Sequence, residues 1–344
     1  MSYKRLDPED LVISAESVTA AAWSNNTPTM TTFYTSSTQV ASSTGDWYYN
    51  VYMNDPDTST SASVQFAIAY ADQEGSGSAF FNPAVIGRTP SRTEYGSYRT
   101  LVLGDENSSF IFGDKTGSYF YTLSIERSRY KEKLFPASFN LILSGTGTNN
   151  HVYLTDNSKD VSVNTFNEAG RVFQVVSGSD GAAYSGSGYT SNSGSYGLFL
   201  PDIGTIILNG QALSASSAGG GIGLEVSRSY NSDGETLGGS TQPGLMAALS
   251  QGEYFKLNSQ ETLTSDFVFV RARNSEFNYT ENPSFISGSS GDVIYPLFID
   301  SPQTFITCIG LYNDANELLA VAKLSRPLQK DFTKELLVRV KLDF

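Results

Sequence analysis

The chain has 344 residues, of which 12% are aromatic and 17% charged, with a formal net charge of -13 at pH 7. That length allows a substantial core divided among more than one packed unit, and the acidity disfavours both phosphate backbones and anionic bilayers, so nucleic acid is not an expected partner. A single cysteine excludes an intrachain disulfide, and no stretch approaches ~18 uninterrupted apolar residues, so no membrane span is expected. The segment Met1–Asp10 lacks the apolar core of a secretory signal, which points to synthesis in the cytoplasm.

In chain order, Leu11–Val18 reads as a strand or short turn, followed by a Ser/Thr/Asn-rich run to about Gly45. Residues 1–45 are expected to form an extended arm. Trp23, Phe33 and Tyr34 within it are rings that would pack on a neighbour or on the chain's own body. Alternation then predicts strands: Trp47, Tyr49 and Val51; Val64, Phe66, Ile68 and Tyr70; Tyr119, Tyr121, Leu123 and Ile125; Phe139, Leu141 and Leu143. Glu126–Lys133 is a charged run expected to be an exposed connection.

Ser177–Gly197 holds 13 Ser or Gly among 21 residues, the composition of a linker or surface loop. Tyr184, Tyr189 and Tyr196 within it also suit a loop that anchors on a partner. Asn209-Gly210, between apolar stretches, predicts a hairpin turn. Gly219–Gly223 reads as flexible, and Pro243–Gln251 as a short helix with Pro near its start and Gly252 beyond it. Strand patterning resumes at Phe267 and Phe269, then at Val293–Ile299, Phe305–Leu311, Leu318–Leu324 and Leu336–Phe344, with a turn at Asn313-Asp314. No short-period repeat is present. The expected fold is mainly β, with two or more sandwich-like or barrel-like units, long Gly/Ser-rich loops and little helix. Its expected divisions are an arm over 1–45, a β domain over 46–176, the loop or linker 177–197 and a β domain over 198–344.

The residues offer little for catalysis. His151, the one histidine, precedes a strand-like run, no Gly-x-Ser-x-Gly elbow occurs, and neither phosphate-binding glycine pattern is present. Cys308 sits in the apolar run 305–311 and is expected to be a small buried hydrophobe. Asp105-Glu106-Asn107, Asp180-Gly181 and Asp233-Gly234 are the nearest approach to calcium ligands, but none has the spaced ladder of such a loop and turns account for them. The sequons at Asn25, Asn107 and Asn278 carry no assigned role. No catalytic, cofactor or metal residue is assigned, and no cofactor is expected.

Two segments resemble known proteins. Within 91–144, Tyr95-Gly-Ser-Tyr-Arg99, Phe110-Ile-Phe112, the run Tyr121–Pro136 and Leu141-Ile-Leu143 are similar to a segment of virion structural proteins of large contractile-tailed, T-even-like bacteriophages. Within 295–344, Phe305–Asn313, Glu317–Pro327 and the ending Val338–Phe344 resemble the close of the same proteins. The resemblance implies a non-enzymatic tail or baseplate subunit of a virion, made in the host cytoplasm. It implies multiple copies that contact other virion proteins in a symmetric assembly, and it supplies no catalytic residues. A receptor- or glycan-binding tail spike or fibre, a neck, collar or capsid-decorating protein, and a cell-wall hydrolase are the alternatives.

Overall fold

A computed structural model describes residues 4–36, 48–77, 89–113, 115–145, 150–162, 165–184, 196–224, 242–280, 282–288 and 290–343. The chain is mainly β, and it divides into a unit of residues 18–261 and a unit of residues 1–17 with 262–344. These divisions differ from those that composition suggests. The Gly/Ser-rich stretch does not separate domains, because β7 (Gly170–Ser179) and β8 (Gly197–Leu200) on either side of it pair with Phe173 opposite Phe199.

The 18–261 unit is built on one antiparallel sheet. Its path runs from Thr29–Met30 through Phe255–Lys256, then β5 (Asn140–Ser144), β6 (His151–Asp156), β7, β8, β9 (Thr205–Asn209), β4 (Tyr119–Ile125), β3 (Val64–Asp72) and β2 (Tyr48–Tyr52). The chain that forms one edge at Thr29–Met30 continues to Tyr34, whose backbone exchanges two hydrogen bonds (2.9 and 2.8 Å) with Tyr52 on the opposite edge. One short segment therefore touches both edges, and the sheet curls closed around its apolar face, which is how β architectures remove exposed edges.

Strand alternation sorts the side chains between two cores. Tyr119, Tyr121, Leu123 and Ile125 of β4 point into the interior with Phe66, Ile68, Tyr70, Phe139, Leu141, Phe199, Ile206 and Leu208. The rings meet edge-on or stacked: Trp23 with Phe255 at 4.8 Å, Phe66 with Phe255 at 5.4 Å, Phe139 with Phe199 at 5.5 Å. Helix α3 (Gln242–Ser250) adds Leu245, Met246, Ala248 and Leu249 to this interior. Trp23 and Phe33 of the expected arm are buried here, on the chain's own body.

The other face of the same strands is covered as well. Helix α1 (Pro90–Leu103), which strand patterning did not predict, lays Tyr95, Tyr98, Leu101 and Val102 over Phe120, Ile207, Leu200 and Ala71. Its ends follow capping rules: Pro90 occupies the first turn, and Gly104 ends it at φ +64 with its N–H bonded to the Thr100 carbonyl. Tyr95 OH donates to the Gly117 carbonyl (3.0 Å), and its ring meets Phe120 at 5.2 Å.

Asn209-Gly210 is not a hairpin turn. Asn209 has φ -64 and caps α2 (Gly210–Ser214), its side-chain oxygen accepting the Gln211 N–H (3.0 Å), whereas a two-residue hairpin of that sequence needs positive φ. The turn that reverses the chain lies earlier, between Leu200 and Thr205, with Gly204 at φ +70. The Gly219–Gly223 segment is packed rather than loose: a Cβ on Gly221 would lie 2.1 Å from the Ala215 carbonyl oxygen, and Ile222 is buried. Within Glu126–Lys133 the charges are largely exposed as expected, but Tyr130 is buried beneath the Arg127 guanidinium (4.6 Å).

In the other unit, β1 (Leu11–Ala21), β10 (Asn258–Ala272) and β13 (Leu336–Asp343) form a sheet in the order β1-β10-β13, with Val268 opposite Val340. Both β1 and β10 run on into the 18–261 unit. The strand expected over Val293–Ile299 is absent: only Asp292–Val293 is extended, and Pro296 opens helix α4 (Pro296–Asp300) instead. Strands β11 (Thr304–Tyr312) and β12 (Leu318–Lys330) form a two-stranded hairpin whose turn is tied by Asn313 Oδ1 accepting the Glu317 N–H (2.8 Å). Lys330 is fully buried, and its ammonium donates to the Asn274 carbonyl (2.9 Å), Asn278 Oδ1 (2.7 Å) and the Asp331 carbonyl (2.9 Å). The Asn278 side chain thus has an internal structural partner. No helix among the described residues is long and apolar enough to cross a membrane.

Candidate interaction surfaces

The polar groups with chemical potential are mostly occupied in holding turns. Asp105 accepts the Asn107 N–H (2.9 Å) and the Ser108 hydroxyl, hydrogen bonds that hold its carboxyl below the usual range. Asp180, at φ 51, donates its N–H to Asn140 Oδ1 (2.7 Å), while its carboxylate accepts from Asn140 Nδ2 (2.9 Å) and pairs with Lys256 (3.3 Å). Asp156 accepts the Ala137 N–H (3.0 Å) and the Ser158 N–H (3.1 Å), and its burial raises its pKa despite those bonds. Asp233-Gly234 lies outside the described residues, as do Trp47 and Tyr189.

His151 opens β6 with its ring half-buried, 6.4 Å from the Tyr153 ring, and its Nδ1 has no hydrogen-bond partner among the described residues. Among those residues no group of three or more His, Cys, Asp or Glu is placed to hold a metal. Cys308 is exposed, not buried. The apolar run around it does form a strand, but among the described residues that strand belongs to a two-stranded hairpin on which Cys308 is exposed.

Glu94 on α1 is the most informative carboxyl of the outer core. It accepts the Thr122 hydroxyl (3.0 Å), yet burial against the sheet raises its pKa, the hydrogen bond pulling weakly the other way. A native-state pKa above the unfolded one means stability is full below the ordinary carboxylate range and is lost as pH rises through the raised value. Glu94→Gln, which keeps the acceptor, is therefore expected to melt above wild type at pH 7 and level with it near pH ~4. Thermal melts at the two pH values check this, and a Gln variant that melts lower at pH 7 contradicts it.

Two surfaces stand out among the described residues. The first is a shallow hollow of about 100 Å³ on the outer face of β5, β6 and β7, lined by Asn140, Ile142, Tyr153, Gly178, Ser179, Tyr184 and Tyr254. That is well below the ~300–1,000 Å³ of a small-molecule site, so it suits contact with a surface rather than engulfment of a ligand. Tyr184 of the Gly/Ser-rich loop lines this hollow, whereas Tyr196 is buried, its OH donating to the Gly220 carbonyl (2.6 Å). The loop's three tyrosines therefore do not form one set.

The second surface is the set of strand faces in the unit of residues 1–17 and 262–344. Strand β1 is exposed along almost its whole length, including Leu11, Val12 and Ile13. The β11–β12 hairpin carries apolar side chains on both faces: Val321 is exposed on one, Ile309, Leu311, Ala320 and Ala322 share the other, and Phe305, beyond a register shift, is exposed as well. A lone two-stranded hairpin is marginal in water, and apolar faces of this kind mark contact sites. Sequence periodicity located these strands, but nothing in it distinguished faces that are covered from faces that are left open. No family model matches the chain, and no match was found among curated proteins or solved structures.

Proposed function

We propose that this chain is a structural subunit of a virus particle, a tail or baseplate component of a contractile-tailed bacteriophage that works through contacts with other virion proteins. The observation that carries the reading is the open apolar strand architecture of the unit of residues 1–17 and 262–344, which has the character of a part finished by assembly. The resemblance of 91–144 and 295–344 to virion structural proteins supports the particular setting. In this role the closed sheet of the 18–261 unit is a rigid body, and the exposed strands are its means of attachment. Cryo-electron microscopy of the particle, with antibody labelling of this chain, is expected to place several copies in the tail or baseplate with the Leu11–Ala21 and Thr304–Lys330 strands covered. Copies absent from the particle would overturn the reading.

The tyrosine-lined hollow beside the Asp180–Lys256 pair favours a second reading, a spike or fibre that binds host-surface glycans through aromatic faces. Glycan-array binding lost on Tyr184→Ala, with copies projecting freely from a fibre tip, would support it over the first.

A further inference from the structure

We infer that the unit of residues 1–17 and 262–344 is completed by further copies of this same chain, the open edge of β1 on one copy meeting the open edge of β13 on the next. The inference deepens the proposed structural role by naming the partner and the surface.

The first argument is the missing core. Both buried hydrophobic clusters of the protein lie within residues 18–261. In the other unit the buried hydrophobic residues, among those described, are Val268, Ala272 and Val340. Meanwhile Ile13 is 67% exposed, Leu297 83%, Phe305 60% and Leu319 68%. With the other exposed large apolar side chains of this unit, the apolar area facing water is on the order of 1,000 Å², above the roughly 800 Å² per partner that a stable interface buries.

The second argument concerns edges and charge. In the sheet β1-β10-β13 the outer strands are β1 and β13. Natural proteins protect long edge strands with Lys, Pro or bulges, yet Leu11–Ala21 contains no Lys, Arg or Pro. Its only charge is Glu16, and the turn before it carries Asp7, Glu9 and Asp10, so the run from Asp7 to Ala21 is wholly acidic, with Lys4 and Arg5 upstream of it. The opposite edge strand exposes Arg339 and Lys341 with no acid between Leu336 and Lys341, although Lys341 also reaches Asp343 (2.9 Å). Two β1 edges brought together would oppose carboxylates, whereas β1 against β13 opposes acid and base. Because the two edges differ, the contact is head-to-tail, and a head-to-tail contact whose rotation closes makes a ring of three or more copies, as against an open filament.

Light scattering on the purified full-length chain is expected to give a closed multiple, three or more, of the 37.2 kDa protomer. Reversing the acidic edge with Glu9→Lys and Glu16→Lys, or the basic edge with Arg339→Glu and Lys341→Glu, is expected to weaken assembly about tenfold or more, and combining all four to restore it. Independently of those variants, a photo-crosslinker placed at Ile13 is expected to join peptides covering 336–343 of another copy. A monomer, a dimer, association insensitive to both reversals, or crosslinks confined to other segments would each overturn the inference. Localisation in the particle separates the two claims. A monomer in solution that labels the virion tail removes the ring and leaves the structural role, and a ring that labels no virion does the reverse.

Discussion

Trp23→Ala is expected to lower the unfolding free energy of the 18–261 unit by about 3–5 kcal/mol, the range for deleting a large buried ring. Trp23 is 2% exposed, its ring lies 4.8 Å from Phe255 and 5.9 Å from Phe66, and its Nε1–H donates to the Phe255 carbonyl (2.9 Å). It also precedes the segment that reaches from Met30 to Tyr34 and joins the two edges of the sheet. The loss should therefore exceed that of a core residue on a central strand, because it loosens the closure as well as the packing. Trp23→Phe keeps most of the apolar volume and leaves one carbonyl without its donor, so it should lose about 1–2 kcal/mol. Urea unfolding of the three proteins decides the matter, and a Trp23→Ala midpoint close to wild type would show that the segment is not a structural closure.

Asp72→Ala should be nearly as damaging, at about 3 kcal/mol or more, for an electrostatic rather than a packing reason. Asp72 ends β3 with no exposure to solvent. One carboxylate oxygen accepts the N–H groups of Glu74 (2.9 Å), Gly75 (3.0 Å) and Ser76 (3.2 Å), and the other accepts the Tyr70 hydroxyl (3.2 Å). The turn it organises docks on the start of α1, where Ser91 Oγ donates to the Ser76 carbonyl (3.1 Å). Truncation takes this acceptor from three backbone donors in or near the protein interior, of which Gly75 N–H keeps the Asp72 carbonyl (3.1 Å), so the turn is expected to open to water and the N-terminal turn of α1 with it. Asp72→Asn retains an oxygen that can accept the same bonds and should lose only about 1 kcal/mol. Amide exchange along 90–103 distinguishes the two variants: rapid exchange in Ala and near-native protection in Asn is the expected pattern, and equal protection in both would refute the role given to this carboxylate.

The sequence by itself determined the β class and most strands, because period-two alternation is a local property that a half-buried strand must display. Tyr119–Ile125, Val64–Tyr70 and Phe305–Leu311 were legible for that reason, and so was the helix near Pro243, whose flanking Pro and Gly are local signals. The same kind of signal was available for α1, with Pro90 at its start, Gly104 at its end and Tyr95, Tyr98 and Val102 at helical spacing. Asn209-Gly210 shows where local reading fails, since an Asn can cap a helix as readily as it can turn a hairpin. Here the negative φ of Asn209 and its bond to the Gln211 N–H make it a cap.

What the tertiary structure alone decided is which faces are covered. Phe120 and Tyr121 are adjacent in sequence, yet they enter different cores, because α1 seals one face of the sheet and the curled sheet itself seals the other. The joining of the sheet's edges through Met30–Tyr34 depends on partners far along the chain, and a local pattern does not encode them. Cys308 lies in an apolar strand that periodicity identified, yet it is exposed, because among the described residues its hairpin pairs only with itself. Burial is a relation between elements, so alternation in sequence marks a face as apolar without saying whether the chain covers it or leaves it open to another molecule.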